Sequence, residues 1–519
     1  MREEGTTARV LSDGRCAPGS SLSEGGTARN ELTKKMKGWT SNIKATIVHS
    51  YIKPTLLLIV LAVLGSVSGK AQASAEPLQI PSFPAYPLKV SANRRYLVDQ
   101  NNIPFLIAGD SPQALPVMIS MSDAARYFDD RKAHGFNSMW INILCAGPYF
   151  PDCRLDGSTY DGIRPFNGHV PGGMDTAHYD LTKPNDAYFS RIDQIITLAA
   201  NRGMEVFLDP IETGQWLYTM RNNGLAACRT YGEYLGNRYK RFPNIIWLNG
   251  NDFRTWQNAG DDAVVRAVAE GIKSADPQHL QTLELDPPWG SSFDDRRWIG
   301  IASINSTYVY GPTYIQMLLS YNQRPVAPTY LVEAHYDLER VGNDYGTPPV
   351  LRREEYWTML SGGKGQIYGN AYTWTFMPGW QFNLDTIGVE QLMIWHQFFS
   401  SLPWQNLVPD QAHAIVTAGL GTYGTLQTRT SQSDFCTAAG TPDGSLVIAY
   451  MPTARKITVN MASLKSPASA RWFDPTNGSY IAIPGSPFAN SGTRQFSPPE
   501  KNGDGDSDWV LLLSALRQR

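Results

Sequence analysis

Cysteine is scarce in this chain: five residues in 519, of which Cys145, Cys153, Cys228 and Cys436 lie beyond the first 75. Four scattered thiols build neither a disulfide scaffold nor a zinc site, both of which need clustered spacing. Cys145 and Cys153 stand eight apart in one loop, and in an exported chain a bridge between them is expected, two free thiols being the alternative. Charge is also sparse, at 18% of residues and net −2. Without residues 1–75 the chain carries 35 basic and 42 acidic residues, net −7, which excludes a nucleic-acid footprint. No HExxH, G-x-S-x-G or Walker pattern occurs, which argues against metalloprotease, serine hydrolase and NTPase chemistry. "GLGTYG" (Gly419 to Gly424) matches a dinucleotide fingerprint, but the strand-like "TLQTRTSQSD" follows where a helix would have to open. "DGDSD" (Asp504 to Asp508) spaces carboxylates as Ca²⁺ loops do, yet lacks the glycine and distal glutamate of an EF-hand and reads as an acidic turn.

Long apolar runs are nearly absent too. "TLLLIVLAVLGSV" (Thr55 to Val67) is 13 residues long, and a membrane helix needs about 20. Lys37, Lys44 and Lys53 precede it with no acid among them, and "AQASA" follows, so the segment fits a secretory signal peptide. The 54 residues ahead of it are too many for an ordinary basic leader, which points to a translation start at Met36. Residues 1–75 are thus expected to be a disordered N-terminus followed by a signal peptide, the alternative being an uncleaved signal anchor. The protein is then secreted, periplasmic or at the cell surface, with a membrane contact only through that segment.

What the chain has in quantity is rings: 14 Trp and 25 Tyr. Most pack cores and surfaces, but rings also line grooves for flat, hydroxyl-rich ligands such as sugars. From about residue 84, short apolar runs alternate with amphipathic stretches. Runs beginning near 105, 137, 204, 245, 280, 301, 328 and 366 read as eight strands with interleaved helices, and "AYFSRIDQIITLAANRG" places Ile192, Ile195, Ile196 and Ala199 at helical spacing. Eight β/α units in residues 84–408 predict an α/β fold, a (β/α)₈ TIM barrel with a long loop after the second strand. A doubly wound open sheet is the competing architecture. From residue 409 to 519 the helical patterns stop. "HAIVTAG", "GTLQTRT", "DFCTAAG", "GSLVIAYMP", "KITVNMA", "ASARWFDP", "SYIAIPG" and "DWVLLLSAL" predict a smaller all-β sandwich domain.

In a barrel of this kind the C-terminal ends of the strands form the active face. Carboxylates stand at several predicted ends: Asp110, Asp209, Glu212, Asp252, Glu284, Asp286 and Glu333. Each alone is an ordinary hydrogen-bond acceptor. Several converging in a partly dry cleft push one another's pKa values apart, so one stays protonated while another is ionised. Asp252 closes "NIIWLNGND" on strand four and Glu333 stands in "YLVEAHYD" on strand seven, nearly across the barrel. Two carboxyls on either side of a glycosidic bond are what glycoside hydrolysis requires.

The stretches "FLIAGDSPQAL", "NDAYFSRIDQIITLAANRGMEVFLDP", "RFPNIIWLNGND" and "PTYLVEAHYD" resemble the apiosidase-like (β/α)₈ glycoside hydrolases. The tail, with "RWFDPTNG" and "DWVLLL", resembles the β domain that accompanies them and carries a collagen-binding name. The resemblance covers nearly all of the chain beyond the leader. It implies Asp252 as general acid/base, Glu333 as nucleophile, a retaining mechanism, no metal or organic cofactor, and an oligo- or polysaccharide substrate. The larger clan of retaining barrel hydrolases places its acid/base directly after an Asn, as Asn251 precedes Asp252. The family more often has Gly-Gly-Asp where this chain has Gly250-Asn251-Asp252, and the strand-six region "INSTYVYG" also departs from its pattern. Asn251 and Asp110 are candidates for sugar hydroxyls, Asp110 also for orienting the acid, and Trp374 for the floor of the sugar site. The alternative from another class is a non-catalytic surface protein that binds glycan and adheres through its β domain.

Overall fold

The computed structural model describes residues 83–285 and 289–517. The apolar run at 55–67, the expected start at Met36 and Asp286 lie outside these residues. Among the described residues no helix is long and apolar enough to cross a membrane.

Eight parallel strands form the predicted barrel: β1 (Ile107–Asp110), β2 (Ser138–Asn142), β3 (Glu205–Asp209), β4 (Ile245–Phe253), β5 (Gln281–Leu285), β6 (Asn305–Val309), β7 (Thr329–Glu333) and β8 (Gly365–Tyr368). Their hydrogen-bonded order is β5-β4-β3-β2-β1-β8-β7-β6, with the short strand Trp289–Ser291 antiparallel on β6. The seam between β5 and β6 is stitched by hydroxyls. Ser292 and Ser306 each donate to the Leu283 carbonyl, at 2.7 and 2.6 Å, and Thr282 donates to the Ile304 carbonyl at 3.1 Å. Inward-facing Trp140, Phe207, Ile246, Leu248, Tyr330 and Ile367 fill the interior. An N-terminal antiparallel sheet (Lys89–Val90, Leu97–Val98, Pro104–Phe105) plugs its lower end with Leu97 and Phe105.

Among the described residues, seven helices of ten or more residues cover the outside: α1 (Met121–Ala133), α2 (Asp186–Ala200), α3 (Thr213–Tyr239), α4 (Ala259–Ala275), α5 (Thr313–Asn322), α6 (Pro348–Leu360) and α7 (Ile387–Ser400). The full set of eight β/α units is not realised among the described residues, because short 3-10 turns link β5 to β6. Helix α3 is two helical stretches joined at a kink. Its first half ends at Gly224, whose φ of 73° interrupts the helical backbone, and "NNG" there reads as a turn in sequence.

The C-terminal part is all β. A six-stranded antiparallel sheet (in spatial order 408–409, 437–440, 446–451, 509–515, 468–473, 480–482) faces a three-stranded one (416–418, 457–460, 493–496). "GTLQTRT" is not a strand, and the strand Thr493–Phe496 was not foreseen. The central strand Leu446–Met451 explains the continuous apolar run in its sequence. Val447, Ala449 and Met451 pack inside the sandwich, while Leu446, Ile448 and Tyr450 join the core of the barrel part. A strand buried on both faces has no polar side to show.

The acidic turn belongs to this junction. Fully buried Arg352 of α6 pairs with Asp508 at 2.8 Å and Asp506 at 2.7 Å, and Gln391 of α7 donates to Asp504 at 2.7 Å. No helix follows "GLGTYG", as expected. Cys145, Cys153, Cys228 and Cys436 are all free and buried, so the expected Cys145–Cys153 bridge is not made. Cys145 instead directs its thiol to the Gln113 carbonyl at 3.6 Å.

Candidate active site

Strand β4 ends in a bulge. Its pairing with β5 shifts between Asn249 and Phe253, and Gly250, Asn251 and Asp252 have φ of 102°, 55° and 52°. Three successive left-handed residues are tolerated because one is Gly and the others are Asn and Asp, the side chains that visit this region most readily. A side chain at Gly250 would also overlap the Glu284 carbonyl. The bulge re-aims Asp252 toward the mouth of the barrel, as bulges beside functional sites commonly do. Glu284, fully buried at the end of β5, holds it: one of its oxygens accepts the Asp252 amide at 3.0 Å and lies 3.5 Å from Asn251 Nδ2. Asn251 Oδ1 accepts from Asn142 at 2.8 Å.

Strand β7 carries a second irregularity. Thr307 of β6 faces Leu331, but the next residue, Tyr308, faces Glu333. The extra residue on β7 turns Glu333 toward the same mouth. Both Glu333 oxygens accept phenolic protons, Oε1 from Tyr310 at 3.0 Å and Oε2 from Tyr336 at 2.8 Å. Tyr336 is held in turn by Gln113 Nε2 at 2.8 Å.

Asp252 and Glu333 line one cleft of about 380 Å³. Tyr149, from the long loop after β2, donates to Asp252 Oδ2 at 2.6 Å, and Arg254 reaches the same oxygen at 3.2 Å. Asp252 Oδ1 is buried without a hydrogen-bond partner. Burial first, and the Asp252 charge second, push the Glu333 carboxyl up to about 8, against the pull of three neighbouring phenols. The proton taken up there belongs to the pair. Burial likewise raises Glu284, with the charges of Glu333 and Asp252 adding to it.

The remaining sequence candidates divide. Asn251 and Trp374 line the cleft, the Trp374 ring lying edge-on to Tyr336 with centroids 6.5 Å apart. Asp110 does not. It is fully buried between β1 and α1, where it accepts from Tyr127 at 2.5 Å and pairs with Arg131 at 3.5 Å, so the expectation that it meets sugar hydroxyls or the acid is corrected. Glu212 caps α3, accepting the Gln215 amide at 2.9 Å. Asp209 is buried at the end of β3 and its carboxyl is pushed up by burial. Sequence reading missed Tyr149, Tyr308, Tyr310, Tyr336 and Glu339, all of which line the cleft. The i, i+2 tyrosines of "TYVYG" at the end of β6 were the available signal.

A family model described as "Apiosidase-like, catalytic domain" matches residues 91–406, and one described as "Putative collagen-binding domain of a collagenase" matches residues 425–514. A solved structure named "Glycoside hydrolase" is 22% identical, with 83% of this chain and 97% of that one covered and a TM-score of 0.67. A glycoside hydrolase family 5 structure from Bacteroides vulgatus ATCC 8482 is 20% identical, with 82% and 93% covered and a TM-score of 0.68. At these identities the two structures establish the fold. A search of curated proteins found no match.

Proposed function

Because the chain belongs to the apiosidase-like catalytic-domain family and is a glycoside hydrolase, we propose that Asp252 and Glu333 cleave the bond of a sugar bound between them. Glu333 attacks the anomeric carbon while Asp252 protonates the departing oxygen. The glycosidic C–O bond breaks and a glycosyl ester forms on Glu333. Asp252, now ionised, takes a proton from water, whose oxygen attacks the same carbon and frees Glu333 with net retention of configuration. The observation that carries this reading is the sharing of one cleft by the two carboxyls, close enough for the charge of Asp252 to raise Glu333. The hydrogen bonds divide their roles. Glu333 accepts fixed donors on both oxygens, which favour its ionised form against the rise from burial and the Asp252 charge, whereas on Asp252 it is Oδ2 that is held, by Tyr149 and Arg254. Asn251 offers its amide to a substrate hydroxyl, and Trp374 floors the sugar.

The substrate of this reading is an oligo- or polysaccharide outside the cell, reached by export through the apolar N-terminal segment. N-terminal sequencing checks the cleavage of that segment: a mature start near residues 72–76 supports it, and a start at Met1 or Met36 refutes it in favour of an uncleaved anchor. Digestion of a panel of plant and bacterial polysaccharides, with identification of the released monosaccharide, supplies the substrate. Glu333→Gln then loses turnover on it and Asp252→Asn is severely impaired. Wild-type activity in both variants would sink the assignment and turn attention to Glu284, Glu212 and Asp209.

A further inference from the structure

The β domain reaches the back of this cleft. Its 424–433 segment runs along the ends of β6 and β7. Leu426 packs on Val309, Met317, Leu331 and Ala334, and its carbonyl lies so close to Gly311 that a side chain there would overlap it. Gly311 directly follows Tyr310, whose hydroxyl donates to Glu333 at 3.0 Å. The Gly424 amide donates to Tyr314 of α5 at 2.9 Å. At the other end of the segment the Ser431 amide donates to Asp344 Oδ2 at 3.0 Å. Asp344 is buried and belongs to the hairpin Arg340–Val341/Asp344–Tyr345, whose Val341 lines the cleft together with Glu339 at its base. Thus one segment of the β domain braces the strand end that presents Tyr310 and latches the hairpin that walls the site.

We propose that the 424–433 segment is a positioning part of the active site, holding Tyr310 on Glu333 and the 340–345 hairpin over the cleft through Leu426 and the Asp344–Ser431 contact. The β domain therefore acts in the reaction as well as in stability. The inference rests on the two-carboxylate reading of the cleft.

The test compares the full chain with D344A, D344N, L426A and E333Q. The first readout is the pH midpoint of the Glu333 carboxyl, followed by its infrared C=O stretch and assigned by the band's loss in E333Q. The second is kcat/KM on whichever polysaccharide of the panel is digested. The groups facing Glu333 are Asp252 from β4, Glu284 from β5, Tyr308 and Tyr310 from β6, Tyr336 after β7 and Tyr149 from the β2 loop. Loss of the Tyr310 bond removes a donor to the ionised form, so D344A and L426A should raise the midpoint. Deleting the Asp344 charge alone would lower it, so the sign separates repositioning from a charge effect. A misplacement of this size should cost about tenfold or more in kcat/KM. D344N keeps an oxygen for the Ser431 amide and should recover most of both. Should D344A fold poorly, L426A carries the test, since it removes only packing. A midpoint unmoved or lowered, with kcat/KM within about twofold of wild type in both variants, overturns the proposal. If E333Q itself keeps turnover, the two-carboxylate reading fails instead, and the infrared midpoint still reports whether the segment holds Tyr310.

Discussion

Replacing Asp252 with Asn should lower the proton affinity of Glu333 by an amount the site allows to be worked out. Glu333 stands at about 8 in the folded chain, with burial as the larger cause and the Asp252 charge as the next. A retaining pair has its carboxyls about 5–5.5 Å apart. At that distance and an effective dielectric of about 20, a unit charge contributes about 3 kcal/mol. That corresponds to about two pH units. Removing a negative neighbour favours the ionised form, so the midpoint should fall from about 8 to about 6. It should remain above the ordinary 4.5, because burial is unchanged. Infrared titration of the Glu333 carboxyl reads the midpoint directly and needs no substrate. A midpoint that stays near 8, or rises, would show that the two side chains do not face one another and would refute the proposed mechanism at its geometric base.

Three further outcomes follow from the same residues. Asp252→Ala should still form the glycosyl ester from aryl glycosides, whose leaving groups need little protonation, and added azide should restore turnover by attacking the trapped ester. The two expectations fail together if natural and aryl substrates are affected equally. Glu333→Gln should raise thermal stability at pH 8 and leave it nearly unchanged at pH 4. A carboxyl whose folded pKa is raised costs stability only as pH climbs from its unfolded value, 4.5, toward about 8, a loss of up to about 5 kcal/mol by linkage. Equal melting temperatures for mutant and wild type across that window would contradict it. Arg352→Ala leaves Asp508 buried without its cation, at a cost of about 3–5 kcal/mol in urea unfolding of the full chain. A loss under about 1 kcal/mol would place that ion pair among the weak surface kind.

Much of the barrel was legible because its strands and helices bury one kind of surface each. Ile192, Ile195, Ile196 and Ala199 recur at helical spacing since only one face of α2 meets the sheet, and all four are buried in the structure. The carboxylates at the ends of β4 and β7 were legible through fold logic joined to resemblance. Asp110 was misread because a strand-end carboxylate can turn outward as readily as inward, and its partner Arg131 lies on the next helix, 21 residues away. The Cys145–Cys153 bridge was misread although the two thiols are neighbours: both are free, and Cys145 turns to the Gln113 carbonyl. The tyrosines around Glu333 were missed because a ring in a cleft and a ring in a core have the same composition, and only the fold brings the β6 pair to the β7 carboxyl.

The two bulges show why pattern alone stops short of the site. Inward parity on β4 runs through Ile246 and Leu248, and on β7 through Tyr330 and Val332. Regular alternation on β7 would send Glu333 away from the interior, toward the side where Leu331 and Ala334 pack. The register shift opposite Tyr308 reverses that parity at the last residue of the strand. On β4 the side of Asp252 already agrees with the pattern, and the left-handed Gly250-Asn251-Asp252 turn instead lifts the carboxyl out of the ladder, so that its amide is held by Glu284 and its Oδ2 meets Tyr149. One device changes the face and the other changes the height. A strand that buried its residues regularly would leave one carboxyl behind the sheet and the other locked in the ladder, and no sugar ring would meet both.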